Sequence, residues 1–392
     1  MTDDPIDGAR ILAEARALSY PRYPGTDGDR RVIGEIADRL RQAGLDISVD
    51  WFSYDLRPAL WALRTLLVAS GLLLAAAGAI GRTAPPIGLV LVALALAPAA
   101  VFLTWAPWLE RLYRREGPTR TANVSGRRPV PSPRLTLIVM AHHDSKSQNL
   151  PLLCRVVLTI AALGGTFALA GVLVAGLGRA APPGPGWLAP ALGGLAGAAA
   201  LLLSTLSSGN RSPGAVDNAG SLAIVLELAS VLGRELPGDV ELIALSTGAE
   251  EDHMIGALRW LDAHAAGLAG RPVYCLNFDG VGAPGRLVLL DRYGALTPCA
   301  PRLTPLALAA AARLGVRPRR VVTPPALGTD AIPFVHRGIE CLTFASGSLG
   351  RATLAVHSAG DLPENLDREP LEQAARVARA AALELADEPH RR

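Results

Sequence analysis

Apolar and polar positions follow two contrasting patterns along this 392-residue chain. In four windows the apolar residues run on for about 20 positions, the length that a helix needs to cross a bilayer. These are Trp61–Ile80, whose one charge is Arg64, and the charge-free Pro86–Leu109, Val156–Gly178 and Trp187–Leu206. They form two pairs, joined by "GRTAPP" and by "GRAAPPGPG". Outside them the apolar residues recur with helical or strand period. "DGARILAEARAL" and "DGDRRVIGEIADRLRQAGL" read as amphipathic helices, the second stopping at Gly44. "DISVDWFSY", "TANVSG", "RLTLIVMAHHD", "DVELIALST", "RPVYCLNFDG", "GRLVLLD" and "ECLTFAS" read as strands. "GSLAIVLELASVLGREL", "TPLALAAAARLG" and "EPLEQAARVARAAALELA" read as the helices between and after them. Helices alternating with short buried strands predict an α/β fold, a mostly parallel mixed sheet flanked by helices. Two α-helical transmembrane hairpins interrupt it. The predicted partition is 1–58, first part of the α/β domain; 59–109, first hairpin; 110–154, the domain again; 155–207, second hairpin; and 208–392, its remainder.

Charge adds an orientation. The links inside the hairpins carry one Arg each, whereas "ERLYRREGPTRTANVSGRR" and Lys146, Arg155 and Arg211 flank their other ends. The positive-inside rule then places the hairpin tips outside and the α/β domain in the cytoplasm, in a multi-pass protein of about four spans. Arg64 lies near the end of its window, where it can snorkel to the interface. Mean hydropathy is +0.30 with 19% charged residues, so the apolar surplus is local. Net charge is +3 with no long run of one sign, which gives nucleic-acid binding no support. Cys154, Cys275, Cys299 and Cys341 form no CxxC pair and read as thiols in a reducing compartment. The polar start "MTDDPIDGARILAEARALSY" has no apolar core of a signal peptide.

In an open α/β sheet, ligands lie outside the carboxyl ends of the strands. Here those ends carry His142, His143 and Asp144, then Glu250, Glu251 and Asp252, then Asp279, with Asp217 before a helix and His357 in a late loop. Acids and imidazoles gathered at one sheet edge call for cations, and zinc accepts both donor types. His142 and Asp144, two apart on an extended segment, point to one side, as suits a ligand and the carboxylate that orients it. Glu250 and Glu251 diverge, so one can bind metal while the other faces a water as general base.

The motif order is more specific than any single pair. "AHHDS", "GAVDNAGSLAIVLELA", "STGAEEDHMIGA", "NFDGVG", "GTDAIPFVHRGIECLTF" and "HSAGD" together resemble the zinc metallopeptidase family that includes bacterial leucyl aminopeptidases, glutamate carboxypeptidases and transferrin-receptor-like proteins. The resemblance covers about Ile6 to Ala386 apart from the hairpins. It implies a zinc exopeptidase-like fold and two Zn2+ ions bridged by Asp217. His142 and Asp279 would complete one site, Glu251 and His357 the other. Glu250 would be the general base, and Asp144 would orient His142. The implied activity is hydrolysis of peptide or protein substrates, membrane-associated ones included, by an aminopeptidase anchored in the lipid bilayer. Two other functions stay open: a single-zinc glutaminyl cyclase-like enzyme, and an inactive membrane receptor or scaffold on the same fold. The chain departs from the family at His143, where an aromatic residue is frequent and substrate contact is the functional reading. It departs again at Asp330, a pocket residue not followed by the frequent His or Tyr. The stretch from His142 to Asp217 is also longer by about one hairpin.

Overall fold

The computed structural model describes residues 5–103, 115–178, 184–294, 297–323, 328–348 and 350–388. The side chains of 98–103 are not described. In chain order, α1 (Gly8–Ala17), α2 (Asp27–Gln42) and β1 (Asp46–Tyr54) come first, followed by the helix pair α3 (Arg57–Gly81) and α4 (Pro85–Leu103). Then come β2 (Thr119–Arg128), β3 (Leu135–His142) and a second pair, α5 (Leu152–Ala175) and α6 (Leu188–Ser204). The remainder runs α7 (Gly220–Glu235), β4 (Val240–Thr247), α8 (Ile255–Leu268), β5 (Val273–Phe278), β6 (Arg286–Tyr293) and α9 (Leu303–Arg313). It ends with β7 (Arg319–Thr323), α10 (Ala331–His336), β8 (Glu340–Gly347), α11 (Arg351–Ala355) and α12 (Arg368–Asp387).

The chain divides into two compact units. One holds Met1–Tyr54, Glu116–Ser147 and Gly209–Arg392, and the other Asp55–Arg115 and Gln148–Ser208. Among the described residues the first unit has a nine-stranded sheet, with the order β1-β2-β4-β3-β5-β8-β6-β7 and a two-residue strand at Thr297–Pro298 beside β6. The central strands β4, β3, β5 and β8 are parallel, with Ile138 aligned to Ile243 and Cys275. β1, β2 and the β8–β6 pair are antiparallel. The mostly parallel mixed sheet read from the sequence is therefore what forms.

Strand pleating explains why β3 is apolar on both faces over Leu137–Ala141. Leu137, Val139 and Ala141 enter a core with α1, α2, α7, α9 and α12, whereas Ile138 and Met140 enter a second core with Trp260 of α8 and Phe334 of α10. α2 follows the predicted pattern closely. Thr26 caps it, Val32, Ile36 and Leu40 form its buried stripe, and Gly44 takes a φ of 81° just past its end.

The second unit packs by a different chemistry. A Cβ built on Gly193 or Gly197 of α6 would lie 2.5 Å from the carbonyl oxygen of Leu74 or Gly71 in α3, and one on Gly78 would lie 2.5 Å from Ala189 O. Such close backbone approach requires glycine. Large apolar side chains face outward instead: Trp61, Ile160, Phe167 and Trp187 are all exposed. Three described helical segments are long and apolar enough to cross a membrane: Arg57–Gly81, Leu152–Ala175 and Ala215–Glu235. The apolar window of the last, which contains α7, is 89% buried, against 22% in each of the other two. Leu188–Ser204 is a shorter apolar helix, as is Pro85–Ala97, the part of α4 whose side chains are described. Part of the predicted second span (104–109), of the Arg-rich segment after it (110–114) and of the second hairpin tip (179–183) lies outside the described residues.

Candidate metal centre

The chain enters β3, steps to β4 on one side and returns to β5 on the other. This reversal opens a crevice at the carboxyl ends of the three strands, and the predicted acids and imidazoles meet there. His142 ends β3, and its Nε2 lies 3.2 Å from Asp217 Oδ1, 3.7 Å from Asp279 Oδ1 and 3.9 Å from Glu250 Oε2. His357 Nε2 lies 3.0 Å from Asp217 Oδ2 and 3.0 Å from Glu251 Oε2. Asp217 thus turns one carboxylate oxygen to each imidazole. Two trios result, His142/Asp217/Asp279 and Asp217/Glu251/His357, each offering ligand atoms within 4.8 Å of one another.

Local structure holds each member in place. Asp361 accepts the main-chain N–H groups of Val216 (2.9 Å) and Asp217 (3.1 Å), which fixes the loop before α7. Asn218 brackets Asp279, donating to Phe278 O at 3.1 Å and accepting the Gly280 N–H at 3.0 Å. The buried Asp144 accepts the amides of Glu250 and Glu251, one on each oxygen and both at 3.1 Å. Its carboxylate is 3.6 Å from His142 Nδ1, whereas its carbonyl oxygen is closer, at 3.2 Å. Through its two amide bonds the carboxylate pins the glutamate pair. Asn123 of β2 clamps the same turn through Gly248 N–H (3.1 Å) and Gly256 O (2.9 Å). A Cβ on Gly256 would lie 2.0 Å from Gly248 O, so only glycine lets the start of α8 approach. Arg22, fully buried, donates to His143 O at 2.7 Å, Pro213 O at 2.8 Å and Gly214 O at 3.0 Å, tying the end of β3 to the loop that carries Asp217.

The electrostatics show an unmet demand for positive charge. Burial pushes the Glu250 carboxyl well above its ordinary value, and Asp279, Asp330 and Glu251 add to this against His142. Burial opposes charge on His142, yet Glu250, Asp144, Asp217 and Asp279 outweigh it and hold the imidazole well above its usual range. His357 is raised to about 9: burial disfavours its charge, but Glu251 and Asp217 prevail. Among the described residues, the buried His142 Nε2 and Glu251 Oε1 of the trios find no hydrogen-bond partner. Imidazole nitrogens and carboxylate oxygens are zinc's donor set, and two orphaned donor atoms at the centre fit cation binding.

Two predicted residues sit differently. His143, the neighbour of His142 on an extended segment, faces the other way and is fully buried. Its Nδ1 is 2.9 Å from Ser246 Oγ and its Nε2 is 3.6 Å from Asp29 in α2. The structure thus places this imidazole on the opposite side of the strand from the two trios, against Ser246 and Asp29. Asp330 is buried before α10 and accepts the Thr247 hydroxyl, and burial raises it to about 7 with help from Asp144 and Asp279 against His142 and Thr247. Among the described residues, its Oδ1 has no hydrogen-bond partner.

Sequence reasoning assigned no site role to Lys146, Asp361, Asn123, Asn218 or Arg22. Asp361 stood inside the quoted "HSAGD", and Asn218 beside Asp217 in "VDN". Nothing local marks Asn123 or Arg22, because their partners are distant in sequence.

Residues 191–382 match the model of peptidase family M28. The matching family is thus a peptidase family. Aminopeptidase YwaD of Bacillus subtilis (strain 168) is 26% identical over 175 residues, 44% of this chain and 38% of that relative. The alignment therefore spans well under half of this curated relative. An aminopeptidase from Aneurinibacillus sp. strain AM-1 superposes with a TM-score of 0.57 at 15% identity, covering 96% of this chain and 93% of its own. BSAP, a zinc aminopeptidase from Bacillus subtilis, gives 0.57 at 15% identity, covering 97% and 95%. The Fimbriiglobus ruber glutaminyl cyclase gives 0.56 at 15% identity, covering 97% and 96%. At these identities the likeness establishes the fold. The family resemblance drawn from the motifs is borne out, at the level of a peptidase family.

Proposed function

We propose that this chain is a membrane-anchored di-zinc metallopeptidase of aminopeptidase type. The observation that carries the reading is the division of Asp217's two oxygens between the His142 and His357 trios. His142, Asp217 and Asp279 would hold one zinc; Asp217, Glu251 and His357 would hold the other. Bound there, such ions supply Lewis-acid polarisation of the scissile carbonyl and acidify the attacking water. Glu250 belongs to neither trio, yet its Oε2 reaches within 3.9 Å of His142 Nε2. It stands at the edge of the reacting centre, where it takes the water's proton and returns it to the leaving amine. Asp144 keeps Glu250 and Glu251 in register by holding both amides. The crowded carboxylates favour a substrate that brings a positive charge, as a free amino terminus does.

The two helix pairs support the anchor. Their outward apolar side chains and glycine-lined contacts are the arrangement that lipid, rather than water, stabilises. We propose spans within 59–109 and 155–207, with the Arg bias placing the catalytic unit in the cytoplasm.

The glutaminyl cyclase of equal fold likeness keeps a single-zinc cyclase as the second reading. Zinc stoichiometry together with a glutaminyl-peptide assay separates the two. The convergence of all five candidate ligands and a base weighs against an inactive scaffold. The deciding experiment is Glu250→Gln in detergent-purified protein. Zinc content should persist while hydrolysis of aminoacyl reporters falls by about 10²–10⁴. An unchanged rate, or a wild-type protein that takes up zinc but cleaves no peptide, overturns the reading.

A further inference from the structure

Lys146 sets a partly buried ammonium against one of the two trios. Its Nζ lies 2.9 Å from Glu251 Oε2 and donates to the Glu251 carbonyl oxygen at 2.7 Å, with its side chain 14% exposed. His357 Nε2 reaches the same Oε2 at 3.0 Å. That oxygen is thus doubly engaged, while Glu251 Oε1 is buried with no hydrogen-bond partner among the described residues. The other trio is unlike it: among the described residues, no lysine or arginine forms an ion pair with His142, Asp217 or Asp279. The asymmetry has a direct electrostatic consequence. The Asp217/Glu251/His357 trio offers two carboxylates, and a fixed positive charge already compensates one of them. An incoming divalent ion meets that charge across a few ångströms of buried protein.

We propose that Lys146 is a resident cation that makes the two metal sites unequal. It engages Glu251 Oε2, the oxygen that also faces His357, and repels the ion. The His142/Asp217/Asp279 site therefore fills first, and the Asp217/Glu251/His357 site fills second and weakly. Lys146 acts through Glu251 and is a positioning residue for metal loading. The proposal rests on the two-ion reading above.

The test is zinc binding to full-length, detergent-purified protein stripped with chelator, measured by competition with a chromophoric chelator and by metal analysis after gel filtration. Wild type should show one tight and one weak equivalent. Lys146→Met and Lys146→Gln should leave the tight site unchanged and strengthen the weak one by about tenfold or more, since a like charge at this range is only partly screened. Lys146→Arg keeps the charge and should keep the wild-type pattern. The unchanged tight site also reports that each neutral variant is folded, and if one variant does not fold the other decides. Two equal sites in wild type, or neutral variants whose second site is unchanged or weaker, overturn the proposal. A wild-type protein that binds no zinc overturns the two-ion reading instead, so the two failures are distinct.

Discussion

Replacing Asp144 with asparagine removes one charge and one acceptor at the point where the first metal motif meets the glutamate pair. Both carboxylate oxygens now accept main-chain amides, from Glu250 and Glu251, each at 3.1 Å and away from solvent. Asparagine keeps one acceptor and turns an NH2 donor toward the other amide. A hydrogen bond to a charged acceptor contributes about 1.5–3 kcal/mol. If the whole loss falls on the transition state, the rate drops about 10- to 150-fold. The folded state should lose a similar free energy, because one amide of the turn is left buried without an acceptor. The assay is hydrolysis of an aminoacyl reporter at saturating zinc, paired with urea unfolding of the same preparation. Both should fall, with zinc content at saturation unchanged, since Asp144 is in neither ligand trio. A variant with the wild-type rate and an unchanged urea midpoint would refute the claim that this carboxylate holds the glutamates in place.

Other outcomes follow from the same geometry. Chelation should abolish hydrolysis and lower the melting temperature, because acids that surround the two imidazoles lose their compensating cations; added zinc should restore both. Glu241 tests acid stability away from the site. Burial alone would raise its carboxyl, but Thr136 (2.7 Å), Arg271 (2.8 Å) and Arg127 (2.6 Å) outweigh this and hold it below the ordinary 4.5. Its contribution is thus present above pH 4.5 and fades as pH falls through the lower folded value, so Glu241→Gln should flatten the loss of urea resistance below that pH. Gly193→Val would press a side chain toward Leu74 O, where even a Cβ lies at 2.5 Å. It should cost the helix pairs about 1–3 kcal/mol, read as a lower melting temperature in detergent. Gly256→Ala meets Gly248 O at 2.0 Å and should lower both stability and rate by displacing the turn that bears Glu250 and Glu251.

By itself the sequence determined the local elements and the kinds of chemistry available. β3 was legible as a strand because the run Leu137–Ala141 is apolar on both faces, as a strand covered on both sides demands, and α2 because its stripe, cap and terminal glycine agree. The apolar windows were legible because nothing in a short polar-surfaced helix explains so long a charge-free run. The ligand candidates were legible because each ends a strand or begins a helix, where order along the chain carries the pattern. Tertiary structure alone decided which of these side chains share a site. His142 and His143 are adjacent in sequence, but the pleat sends one to Asp217 and the other to Asp29. Asp144 holds amides 106 and 107 residues away, and Lys146 lies against Glu251, across the second helix pair in sequence. Such partnerships depend on distances in space that strand order and loop closure set. Local periodicity records which way a side chain faces, and carries no information about what it meets there.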